Sequence, residues 1–177
     1  SIQNKITIYD IPTVNAGIDS AMCIGKTIVL TADGSGSYTW SPSEGLSSIN
    51  IANPNASPIL TTTYSVAISD VNGCSGTDDV KIEIYPLPIA DAGADETIYN
   101  ATPILLSGSG GTLYTWFPIT EVACPTCQFL IVNPENTTTY YLEVTDSNGC
   151  INKDSVTITL KSSESIYVPN SFTPNND

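Results

Sequence analysis

Five cysteines carry the reactive chemistry of this chain: Cys23, Cys74, Cys124, Cys127 and Cys150. Cys124 and Cys127 stand in the sequence CPTC, and Cys74 and Cys150 each close the phrase Asp-x-Asn-Gly-Cys. A Cys-x-x-Cys pair serves redox exchange, half of a zinc site or a local staple. Redox use normally needs a βαβ setting, and structural zinc takes four ligands. The chain offers no helical periodicity, no second such pair and no His. The spacing predicts a Cys124–Cys127 disulfide that staples a loop.

The other chemistry-bearing residues are acidic. The net charge is −13, with five Lys, no Arg and no His. No cationic surface is available to neutralise phosphates, which excludes nucleic acid and disfavours an anionic membrane surface. The usual general base and the bidentate clamp for anionic substrates are both missing. Paired carboxylates alone can hydrolyse glycosides, but here they fall in turns with no pocket implied. The sequence predicts no enzyme.

The elements that position the cysteines are written twice. Displaced by 76 residues, the chain matches itself without a gap: Tyr38-Thr39-Trp40 falls on Tyr114-Thr115-Trp116, Thr61-Thr62-Thr63-Tyr64 on Thr137-Thr138-Thr139-Tyr140, and Asp70, Asn72, Gly73, Cys74 on Asp146, Asn148, Gly149, Cys150. An ungapped register of this length signals duplication. Tyr64, Val66 and Ile68 alternate with Ser65, Ala67 and Ser69, which predicts a half-buried strand. Val80, Ile82 and Ile84 repeat the pattern after a DVNG turn, whose Asn-Gly tolerates positive φ. The fold expected is all-β, with two tandem Ig-like/PKD-like β-sandwiches arranged end to end. The boundaries read 1–11 as the last strand of a preceding repeat, 12–86 as repeat 1, 87–162 as repeat 2 and 163–177 as the truncated start of a C-terminal sorting domain. The chain thus reads as part of something longer. Trp40 is placed like the buried Trp of strand C in immunoglobulin-type folds, and Tyr64 like their tyrosine corner.

The pattern PxxxAGxD … YTWxP … TTTYxVxxxDxNGCxxxDxVxI resembles the PKD-like and Ig-like repeats of giant surface proteins of the Bacteroidetes, of which SprB-like gliding adhesins are bearers. The tail IYVPNSFTPNND resembles the opening of their gliding-motility-associated C-terminal domain, with PNND in place of the usual PNGDG. The resemblance implies a non-catalytic stalk of a cell-surface adhesin, exported by type IX secretion and attached to the outer membrane. Its implied partners are neighbouring repeats and the secretion and gliding machinery. The alternative is an accessory or carbohydrate-binding module of a secreted polysaccharide-degrading enzyme, with surface glycans as partners. Exposed aromatics would favour that alternative, and Tyr99, Tyr141 and Phe117 are the candidates.

Small sandwiches often need disulfides. Within one sandwich, Cys23 lies at the turn into the second strand, at the far end, and Cys74 at the near end. A strand of about seven residues separates the two ends by roughly 20 Å, whereas a disulfide needs Cα atoms within about 7 Å. Cys23 is therefore expected to pair with Cys150, and Cys74 with a cysteine of a preceding repeat. The intra-repeat pair Cys23–Cys74 stays open as the alternative. Asp91, Asp146 and Asn148 are candidate oxygen ligands for Ca²⁺ at the repeat junction, with Asp95 a further one; turn-forming roles compete with that reading. No other cofactor is expected. Ser20 and Ser155 stand in Asp-Ser-apolar triplets that resemble a Bacteroidetes O-glycosylation motif.

Overall fold

The computed structural model describes residues 7–118 and 124–161. Its contact pattern divides the chain between Leu87 and Pro88, with Asn148–Cys150 grouped with the first unit. The described residues form strands only, with no helix.

The first unit holds β1 (Ser20–Cys23), β2 (Ile28–Val29), β3 (Ser37–Ser41), β4 (Asn55–Ala56), β5 (Thr62–Ser69) and β6 (Ser75–Tyr85). One sheet runs β1-β6-β5-β3 and a second pairs β2 with β4. β1 runs parallel to β6, and the other pairs are antiparallel. The second unit repeats this with β7 (Glu96–Tyr99), β8 (Ile104–Ser107), β9 (Leu113–Phe117), β10 (Phe129–Val132), β11 (Thr138–Thr145) and β12 (Ile151–Lys161). Its sheets run β7-β12-β11-β9 and β10-β8. Each unit is an Ig-like β-sandwich.

Alternation builds each core. In β5 the side chains of Tyr64, Val66 and Ile68 are fully buried, and β6 adds Val80 and Ile82. Trp40 on β3 and Leu30 close the first core, while Trp116, Leu142, Val144, Val156 and Ile158 fill the second. Burying side chains of this size contributes about 1.5–3 kcal/mol each.

Two expectations need adjustment, and a third falls only partly on described residues. Of the segment 1–11 read as the last strand of a preceding repeat, residues 7–11 pair with no strand here, and Ile8, Tyr9 and Ile11 are exposed. A strand needs a partner for its backbone groups, and none of the described residues supplies one there. Residues 1–6 and the tail at 163–177 lie outside the described residues. The β5–β6 turn takes its positive φ at Gly73 alone, at 83°, as Gly149 does at 79°. Asp70 N–H donates to Cys74 O at 2.9 Å and Gly73 N–H to Asp70 O at 3.2 Å, so this is a three-residue loop with a left-handed Gly. Tyr64 Oη donates to Glu44 O at 2.8 Å, 20 residues upstream. It therefore ties β5 to the β3–β4 connection, a longer reach than the tyrosine corner makes.

Candidate functional site

The first repeated phrase ends on a cysteine held by the turn before it. In the first repeat the Asp70 carboxylate accepts Asn72 N–H and Cys74 N–H, both at 2.8 Å, and the Asn72 amide at 3.1 Å. The Asp therefore fixes where the cysteine backbone points. Desolvation pushes the Asp70 carboxyl up, but the N–H donors of Cys74, Asn72 and Gly73 and the Asn72 side chain outweigh it, and the group titrates below its usual 3.8. A carboxyl lowered in the folded state stabilises the turn above its unfolded pKa and loses that contribution as pH falls through the folded value. Amide exchange at Cys74 is thus expected to accelerate as pH drops below about 4, relative to amides in β5. Asp70→Asn should abolish that pH dependence; an unchanged profile in the variant would rule out this role.

The structure joins Cys23 to Cys150 by a disulfide, with Cα atoms 5.6 Å apart and a sequence separation of 127. Cys23 ends β1, and Cys150 follows the second repeat's turn. Cys150 is fully buried, and Asn148–Cys150 group with the first unit although their sequence belongs to the second repeat. Cys74 carries a free thiol and is partly exposed. The alternative Cys23–Cys74 bond is not formed.

Cys124 and Cys127 are also disulfide-bonded, with Cα atoms 5.4 Å apart. The loop they close has a specific load. Trp116 N–H donates to Pro125 O at 2.8 Å, and Trp116 Nε1 donates to Cys127 O at 3.1 Å. A buried indole N–H must find an acceptor, and this loop supplies it. The same job in the first repeat falls to Ile49 O and Ile51 O, which accept Trp40 N–H at 2.8 Å and Trp40 Nε1 at 2.9 Å. There the turn is held by Ser48 Oγ, which accepts Asn50 N–H at 3.3 Å. CPTC falls on Ser48-Ile49-Asn50-Ile51, so the disulfide takes the place of a weak hydrogen bond.

The repeated acidic residues are architectural. Asp78 Oδ2 accepts Ala16 N–H and Asp154 Oδ2 accepts Ala92 N–H, both at 2.8 Å. In the other direction Asp19 Oδ1 accepts Lys81 N–H and Asp95 Oδ1 accepts Thr157 N–H, again at 2.8 Å. Each sandwich thus clasps its first segment to its last strand with two carboxylates. Asp78→Ala leaves the Ala16 N–H without its acceptor and is expected to cost about 1–3 kcal/mol by urea unfolding. Asp78→Asn, which keeps an acceptor oxygen, should recover most of that loss; equal losses in both variants would exclude the clasp.

Of the calcium candidates, Asp91 is engaged locally. Asp91 Oδ1 accepts Gly93 N–H at 2.9 Å, the same local turn that Asn15 makes with Gly17 N–H in the first repeat. Asp146 and Asn148 lie in the β11–β12 turn. Among the described residues no three His, Cys, Asp or Glu side chains come together as a metal site. Ser20 is half-buried on β1, with Oγ donating to Ile18 O at 3.3 Å, and Ser155 is exposed on β12. The aspartates that precede them, Asp19 and Asp154, are the clasp residues. Tyr99, Tyr141 and Phe117 are all exposed, and Tyr141 pairs in register with Phe117. The first repeat has Ser65 and Ser41 at those places.

Two functional details were not legible beforehand: the Trp-holding role of CPTC and the carboxylate clasp. The only sequence signal for the clasp is that the Asp of AGxD and the Asp of DxV recur together at the repeat offset.

No family model and no curated protein matches the chain. Solved structures of tandem Ig domains are similar to it. A three-Ig-domain titin fragment is 10% identical over 85% of this chain and 66% of its own, with a TM-score of 0.43. Extracellular domains 3–5 of Drosophila OTK are 10% identical over 81% and 59%, with a TM-score of 0.44. The insect immune protein hemolin is 10% identical over 85% and 47%, with a TM-score of 0.46. The chain spans slightly less than two thirds of the titin fragment and less of the other two. The strand order given above carries the fold independently of these likenesses.

Proposed function

We propose that the chain is a non-catalytic pair of stalk repeats in a cell-surface adhesin, exported by type IX secretion and serving gliding motility or surface adhesion. One observation carries the reading: the disulfide between Cys23 and Cys150, which ties the end of β1 to a residue 127 positions later. Such a bond does no chemistry on a substrate, and it limits how far the chain can extend. The motif carboxylates point the same way, since they accept backbone N–H groups within the sandwich. Two disulfides also fit an oxidising, extracellular setting. The secretion and gliding parts rest on the sequence resemblance of the repeats and the tail.

The test is replacement. In the full-length protein, this pair is exchanged for an unrelated pair of sandwiches of equal length. Retained surface display and adhesion support a stalk; lost adhesion with normal display refutes it. The Phe117–Tyr141 pair is the observation that favours the second reading, a glycan-binding accessory module, because aromatic faces stack on sugars. Binding on a glycan array that disappears in Tyr141→Ala would establish it. Calcium at Asp91, Asp146 and Asn148 would act only as a stiffener, and a melting temperature unaltered by EGTA removes it.

A further inference from the structure

The two Asp-x-Asn-Gly-Cys turns are equivalent in sequence and differ in state. Cys150 is bonded to Cys23 and fully buried, while Cys74, 76 residues earlier, is a partly exposed free thiol. Val71, at the tip of the Cys74 turn, is 100% exposed, so that end of the first repeat is open to a partner. What Cys74 would meet there is specified by what Cys150 bonds: a cysteine at the end of a first strand, one residue after a Met and two before a Gly.

We infer that Cys74 is the acceptor half of a second covalent joint, whose partner is another sandwich of this kind presenting a cysteine at the position of Cys23. This deepens the stalk reading and rests on it, but the experiment below reads bond partners and not adhesion, so the two fail separately. The bond forms by exchange. The Cys74 thiolate attacks a carrier disulfide such as oxidised glutathione, expelling one glutathione thiolate. The partner cysteine's thiolate then displaces the second. Two protein thiols lose two protons and two electrons, and one carrier disulfide becomes two thiols.

The chain itself supplies a test, because it carries both halves. In wild type Cys23 is occupied. Cys150→Ser frees it, so one copy's Cys23 becomes available to another copy's Cys74, a head-to-tail contact that does not close. The full chain with Cys150→Ser, concentrated in a glutathione redox buffer, is expected to give a ladder of covalent multimers on a non-reducing gel. Peptide maps of mixed isotope-labelled and unlabelled copies should show Cys23–Cys74 linked between chains. The ladder should be lost when Cys74→Ser is added. A Cys23–Cys74 bond within one chain, a Cys74–Cys74 dimer, or monomer only from a variant that retains its β-sheet circular dichroism would each overturn the proposal. A non-reducing peptide map of the full-length protein from its native surface gives an independent reading that needs no variant. Cys74 linked to an equivalent cysteine supports the joint, and Cys74 recovered as a free thiol refutes it.

Discussion

Pulled from its ends, the oxidised chain is expected to withhold the whole segment between Cys23 and Cys150 from extension. The covalent path for force enters through residues 7–23, crosses the Cys23–Cys150 bond and leaves through β12. Strands β2 to β11 all lie inside the closed loop, so their unfolding releases no length. Reduction opens the loop. A sequence separation of 127 then adds roughly 420–460 Å of contour, at about 3.3–3.6 Å per residue. Force spectroscopy with and without reductant measures this directly, and Cys150→Ser should behave as the reduced wild type does. Equal total contour lengths in the oxidised and reduced protein would mean that the bond bears no load, and would remove the main support for a stalk. The same closure acts without force: in the chain-entropy treatment a loop of this size destabilises the unfolded ensemble by about 5 kcal/mol. The unfolding of two sandwiches is not two-state, so contour length is the cleaner readout.

How much of this was legible depended on the distance over which a residue acts. Tyr64, Val66 and Ile68 announce a strand because burial on one face imposes a period of two, and that period is local. The turn was legible for the same reason, although its positive φ belongs to Gly73 and not to Asn72. The clasp was not, since Asp78 reaches Ala16 across 62 residues and nothing in either neighbourhood marks the partner. Thr61 is similar. Its Oγ1 accepts Ile84 N–H at 3.0 Å, as Thr137 Oγ1 accepts Leu160 N–H at 3.1 Å, and a run of three threonines reads only as strand composition. Asp91 carries two readings at once: its place near a repeat boundary suggests a cation, and its Oδ1 accepts a backbone N–H two residues on. The cysteines lay between these cases. Sandwich geometry set the two ends of a repeat too far apart for one bond, but the direction of each side chain awaited the fold.

The two core tryptophans turn the duplication into an experiment with an internal control. Trp40 and Trp116 are buried to 1% and 0% exposure, and each donates its indole N–H to the loop that follows its strand. Trp40→Ala removes the largest buried side chain of a core of about 75 residues and is expected to cost about 3–5 kcal/mol. Domains of this size have roughly 4–11 kcal/mol of total stability, so the first sandwich should be largely unfolded at moderate urea. Phe at either site keeps most of the apolar volume but leaves a loop carbonyl without its donor, for a loss of about 1–3 kcal/mol. The repeats should then diverge. In the second, the Cys124–Cys127 bond fixes the loop that presents Cys127 O, so removing the staple and removing the indole donor act on one contact. Trp116→Phe combined with Cys124→Ser and Cys127→Ser is expected to be non-additive by about 0.5–3 kcal/mol. Trp40→Phe combined with the same cysteine changes should be additive, because Trp40 is held by Ile51 O in a different core. Additivity at Trp116 would show that the disulfide is a bystander to the core and that the loop holds its shape unaided.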